Sequence, residues 1–119
     1  MSSSLVVINP HASKARDAST LAALTERLGT VLTERDGADP RFMEPASAAA
    51  VGPLVAEALE GEVASVVGVG GDGTMRDIAA VLADTGTPLA IVPAGTGNQV
   101  AHALGLPRSP AAAIEALKD

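Results

Sequence analysis

Apolar positions along this chain follow two rhythms that alternate. "LVVIN" (5–9) is an unbroken run of branched apolar residues closed by Asn9-Pro10, and such continuity predicts a short strand covered on both faces. After Asp17, a candidate cap, Leu21, Leu24, Leu28, Val31 and Leu32 recur at three- and four-residue spacing, the apolar stripe of a helix. "ERDGADP" (34–40) reads as a turn, "RFM" (41–43) as a brief second strand, and Ser47 to Leu59 as a second helix whose start Gly52-Pro53 is placed to delay. "VASVVGV" (63–69) is the clearest strand and leads to a helix from about Thr74 to Leu82; "PLAIVP" (88–93) is another, leading to a helix from about Asn98 to Leu104. Ser109 then caps a last helix, Pro110 to Leu117, with proline in its first position.

Apolar strands alternating with helices imply βαβ units, right-handed crossovers and a mainly parallel sheet. The expected fold class is α/β, doubly wound, with helices on both faces of the sheet. Ligands of such sheets bind beyond the carboxyl ends of the strands. Three loops belong to that edge: "NPHASK" (9–14), "GVGGDGT" (68–74) and "PAGTGN" (93–98). The last two are both strand-to-helix turns, and if their strands pair, the two loops wall one site.

Composition narrows the partners. A length of 119 residues, 47% of them hydrophobic, with a mean hydropathy of +0.30, suits one globular domain. Eight basic against fourteen acidic residues give a net charge of −6, with no basic cluster, which argues against nucleic acid and anionic membrane surfaces as partners. The absence of cysteine and the presence of only two histidines argue against a disulfide framework and a zinc site, so no protein-built metal centre is expected. No segment reads as a signal peptide or a membrane span, and the expected location is cytoplasmic.

The two glycine loops suit phosphate, because backbone N–H groups reach an anion where no Cβ intervenes, and the next helix adds its positive end. Gly68, Gly70 and Gly73 spell G-x-G-x-x-G, yet no acidic residue follows at the end of the next strand, Ile91 to Ala94, to hold a ribose. A Walker loop fails too, since Thr74-Met75 stands where Lys-Ser/Thr belongs. Asp72, in the middle of a loop suited to anions, needs its own account. It either caps a helix, or acts on a Mg²⁺–phosphate assembly or takes a proton from an attacking hydroxyl.

"GGDGTMRD" followed by "PAGTGNQVAHALGLP" resembles the catalytic domain of the diacylglycerol kinase and sphingosine kinase family of lipid kinases, which shares the Gly-Gly-Asp-Gly-Thr loop with NAD kinases and 6-phosphofructokinases. The resemblance runs from "INPHASK" to "SPAAAIEALKD" and is strongest over 63–107. It implies an ATP site, with Mg²⁺, lined by Asn9, Pro10, Ser13 and Lys14 of the first loop, by Gly70, Gly71, Asp72, Gly73, Thr74 and Asp77, and by Gly95, Thr96, Gly97 and Asn98. It places Asp72 in the phosphoryl-transfer centre as the catalytic residue. The implied activity is transfer of the γ-phosphoryl group of ATP to the hydroxyl of diacylglycerol or a related lipid, a step of phospholipid metabolism. The family's second, mainly β domain is absent from residues 1–119, so these residues correspond to the nucleotide-binding subdomain. Little activity is expected from them alone, and peripheral membrane contact belongs to a longer parent.

Six residues, at four places, depart from the family's usual pattern. Ala12-Ser13-Lys14 replaces Ser-Gly-Lys in the first loop, Arg76-Asp77 stands where Asn-Glu is common, Gln99 replaces an aspartate, and His102 an arginine. Lys14 and Arg16 are placed to neutralise phosphate and read equally as surface charge. Two other readings stay open, a NAD kinase-like enzyme, which the GTGN loop argues against, and a non-catalytic nucleotide-binding module.

Overall fold

Four strands pair side by side in a computed structural model that describes residues 3–9, 18–94, 99–107 and 109–118. The strands are β1 (Leu5–Ile8), β2 (Arg41–Met43), β3 (Val66–Gly70) and β4 (Leu89–Pro93), and the helices α1 (Ala18–Asp36), α2 (Ala48–Ala58), α3 (Asp72–Leu82), α4 (Gln99–Ala103) and α5 (Pro110–Ala116). All pairings are parallel, in the order β2-β1-β3-β4. The fold is α/β, with a wholly parallel sheet, as the alternating rhythms predict.

Helices cover both faces, so successive strand residues feed two separate cores. On one face Val6, Ile8, Val67, Val69 and Val92 meet Leu28, Val31 and Leu32 of α1 and Ile114 of α5. On the other, Leu5, Val7 and Val66 meet Val51 and Val55 of α2 and Ile78 and Leu82 of α3. This two-sided burial is why the strand runs carry no polar alternation. Gly68 belongs to the α3 face, where an added Cβ would lie 2.8 Å from Met75 Sδ and 3.0 Å from Ile78 Cδ1. The first glycine of the G-x-G-x-x-G spacing therefore lets α3 lie close on the sheet.

Several boundaries differ from the sequence reading. "ERD" is the last turn of α1, not the start of a turn; the helix stops at Gly37, whose φ of 71° is left-handed and whose N–H donates to the Thr33 carbonyl (2.9 Å). Arg35 and Asp36 are held there by the amino ends of the sheet. Ser4 Oγ donates to Asp36 Oδ2 (2.8 Å), and Arg35 Nη2 donates to Ser4 Oγ (3.0 Å) and Ser65 Oγ (2.9 Å). Gly52-Pro53 does not delay α2, which starts at Ala48 because Val51, Val55 and Ala58 are buried along one face and packing outweighs the missing N–H of Pro53. β3 spans 66–70 rather than 63–69, and α3 begins at Asp72 rather than Thr74. Ser109 caps α5 as expected, accepting from the Ala112 N–H (3.3 Å). Asp17, the candidate cap of α1, lies outside the described residues.

Candidate functional site at the carboxyl edge of the sheet

Because β1, β3 and β4 are neighbours, the segments leaving their carboxyl ends start side by side. The Asn9 N–H donates to the Val69 carbonyl and the Ala94 N–H to the Gly70 carbonyl, both at 2.9 Å, which carries the ladder past the last strand residues. β3 and β4 pair, the condition set by the sequence, and the GGDGT segment emerges between Asn9 at the end of β1 and Ala94 at the end of β4.

That segment is not a loop. Gly71 alone separates strand from helix; with an extended backbone (φ −92°, ψ −174°) it is the N-cap residue of α3, and Asp72-Gly73-Thr74 is the helix's first turn. Thr74 is buried, and Asn9 Nδ2 donates to its Oγ1 at 3.3 Å, tying the end of β1 to α3. Gly70 sits between them, where a Cβ would lie 3.1 Å from Thr74 Oγ1 and 3.2 Å from Asn9 Cβ. Around Gly73 an added Cβ would meet nothing within 4 Å. Gly71 offers no side chain to the helix, so the amino end of α3 has no side-chain cap. Its first amides and the positive end of its dipole suit an anion.

Asp72 does not cap its own helix. Its Oδ2 accepts the Gln99 N–H at 2.9 Å and its Oδ1 the Val100 N–H at 3.0 Å, so the carboxylate caps α4, 27 and 28 residues away in sequence. These bonds, Val100 first and Gln99 second, outweigh partial desolvation and, with the Arg76 charge, hold the carboxyl below its ordinary range. Nothing in the local sequence signals the contact, because the partners are backbone N–H groups of a distant element.

Of the sequence-predicted residues, Asn9, Gly70, Gly71, Asp72, Gly73 and Thr74 come together at this edge. Asp77 does not face α4: it lines a groove of about 280 Å³ with Ala48, Ala49, Gly52 and Pro53 of α2. Pro10, Ser13, Lys14, Gly95, Thr96, Gly97 and Asn98 lie outside the described residues. So do His11, Ala12 and Arg16. His102 stands in the last turn of α4. A larger groove, about 520 Å³, runs between α1 and β2 beside the exposed Phe42. Its charged lining is Glu26, Glu34 and Asp39, which repels a nucleotide, so volume does not identify the site. Among the described residues no group of three His, Asp or Glu side chains could hold a metal ion, and no helix is long and apolar enough to cross a membrane.

The geometry can be set beside known proteins. The family model described as "Diacylglycerol kinase catalytic domain" matches residues 3–119. A Pseudomonas putida protein named "Probable lipid kinase YegS-like" is 48% identical over 66 residues, 54% of this chain and 22% of its own length. A diacylglycerol kinase of Mycobacterium tuberculosis is 43% identical over 67 residues, 56% of this chain and 22% of its own. The match thus spans about a fifth of the length of these relatives. Among solved structures, a diacylglycerol kinase from Bacillus anthracis superposes with a TM-score of 0.79 at 24% identity, over 98% of this chain and 41% of the other, which shows the same fold.

Proposed function

The chain belongs to the diacylglycerol kinase catalytic domain family, and from that premise we propose that it is the nucleotide-binding unit of an ATP-dependent lipid kinase, acting on the hydroxyl of diacylglycerol or a related lipid. The observation that carries the reading is the amino end of α3. It opens between the ends of adjacent strands, lacks a side-chain cap, and carries at Gly73 a glycine that no packing contact requires.

In this reading the triphosphate lies along the first turn of α3, with Gly71, Gly73 and Thr74 offering backbone N–H groups. Asn9, fixed by Thr74, lies at the same edge. The first loop brings Pro10, Ser13 and Lys14, and the third Gly95, Thr96, Gly97 and Asn98, as the family resemblance implies. Asp77, in its groove beside α2, is assigned to the nucleoside end.

Mg²⁺ usually keeps several waters and takes one or two carboxylates together with substrate phosphates. Among the described residues where β1, β3 and β4 end, Asp72 is the carboxylate beside α4, and each of its oxygens keeps an acceptor site beyond its bond to α4, so the residues fit an ion held chiefly by the nucleotide. Bound there, the ion would neutralise charge on the β- and γ-phosphoryl oxygens. Asp72 supplies fixed negative charge to that assembly. In the transfer the acceptor hydroxyl oxygen bonds to the γ-phosphorus, the bond to the β–γ bridging oxygen breaks, and ADP leaves. The hydroxyl proton goes to a general base. We assign the base, further metal ligands and the lipid site to a second, mainly β domain, and expect residues 1–119 alone to be inactive.

The test is phosphorylation by the protein at its native length in mixed micelles of detergent and diacylglycerol, beside a parallel assay with NAD. Label from γ-labelled ATP is expected in the lipid and not in NAD. The reverse preference would overturn the lipid-kinase reading.

A further inference from the structure

The GTGN connection, residues 95–98, is bracketed by described residues that both attach to the GGDGT segment. On the near side the Ala94 N–H donates to the Gly70 carbonyl at 2.9 Å. On the far side the Gln99 and Val100 N–H groups donate to the two carboxylate oxygens of Asp72, at 2.9 and 3.0 Å. A helix of five residues, as α4 is, gains little from its own hydrogen bonding, because nucleation consumes most of what so short a ladder returns. Its amino end is therefore placed by what holds it, and among the described residues its first two amides are held by one side chain of α3.

We propose that Asp72 is a positioning residue: by receiving the first two amides of α4 it anchors the amino end of that helix to the same turn of α3 that presents Gly73. Two consequences follow. The Gln99 and Val100 amides are already filled, so an anion entering this edge is directed to the uncapped end of α3 and away from α4. The GGDGT segment also holds both described flanks of residues 95–98, Ala94 through the Gly70 carbonyl and α4 through Asp72. Gln99 takes part through its backbone alone, so the side chain at that position is free to depart from the family's usual aspartate without breaking the bracket.

The bracket rests on this chain's geometry, and its bearing on phosphoryl transfer rests on the reading above; the test keeps the two apart by using no nucleotide in its first arm. Amide hydrogen exchange by NMR on the 119-residue chain should show Gln99 and Val100 exchanging at least about tenfold faster in Asp72→Ala than in wild type. In Asp72→Asn at least one of the two should accelerate, since the new carboxamide keeps a single acceptor oxygen. Amides in the interior of α1 should keep their protection in both variants. Should Asp72→Ala fail to fold, the wild type still decides: the Gln99 and Val100 amide proton shifts should titrate together with one acidic midpoint, and in Asp72→Asn that titration should vanish. Unchanged exchange at both amides in a folded Asp72→Ala, or shifts that do not follow a common carboxylate, would overturn the proposal. A second arm measures ATP affinity calorimetrically on the native-length protein. Intact affinity in Asp72→Ala, beside faster exchange, would overturn the positioning role in nucleotide binding.

Discussion

Gly73 and Gly70 stand three residues apart in one motif, and their surroundings give them opposite tasks. At Gly73 an added methyl meets nothing within 4 Å, and the residue lies inside α3, where alanine is favoured over glycine by about 0.5–1 kcal/mol. Gly73→Ala should therefore leave thermal stability unchanged or raise it by up to that amount, while ATP affinity falls because the methyl enters the phosphate seat. Unchanged affinity in calorimetry would remove the phosphates from this turn. Gly70→Ala places its methyl 3.1 Å from Thr74 Oγ1 and 3.2 Å from Asn9 Cβ, so it should cost about 1–3 kcal/mol in denaturant unfolding, the usual scale of overpacking. From the sequence both are loop glycines suited to an anion. What separates them is Asn9, 65 residues from Thr74, and spacing alone carries no such information. Asp72 was legible as the residue in need of a role, and its partners were not.

At the scale of elements, local signals were overruled where long-range packing was stronger. Pro53 lies inside α2 on its exposed side, removes one helical hydrogen bond and crowds the preceding turn. Pro53→Ala is expected to raise stability by about 1–3 kcal/mol, measured by urea unfolding. The end of α1 shows the same rule. Turn-forming residues from Glu34 onward suggest a stop, yet the helix continues to Asp36 because Arg35 and Asp36 find partners in Ser4 and Ser65. Burial raises the Asp36 carboxyl, but hydrogen bonds from Arg35 and Ser4, with the guanidinium charge, outweigh it and hold the folded carboxyl below its ordinary range. A lowered folded pKa means that this contribution is complete above the unfolded value and is lost as pH falls through the folded one. Asp36→Asn should cost about 1.5–3 kcal/mol at neutral pH, the scale of hydrogen bonds to a charged group. Its stability should also vary less than wild type between roughly pH 5 and 2.

For the molecule as a whole, the sheet was readable because strands buried on two faces must be apolar throughout, as Leu5 to Ile8 are. The family was readable because GGDGT and GTGN fall at the ends of two strands that do pair. The bracket between those motifs was hidden because it depends on how α4 returns to α3, a matter of tertiary geometry with no local residue code. The first turn of α3 is the proposed seat of the nucleotide phosphates. In native-length protein labelled with nitrogen-15 glycine and threonine, titration with Mg·ATP should give saturable amide shifts that are largest at Gly71, Gly73 and Thr74. Gly29 and Thr30, in the acidic groove between α1 and β2, should stay unmoved. Saturable shifts centred on that groove, or none in the first turn of α3, would contradict it.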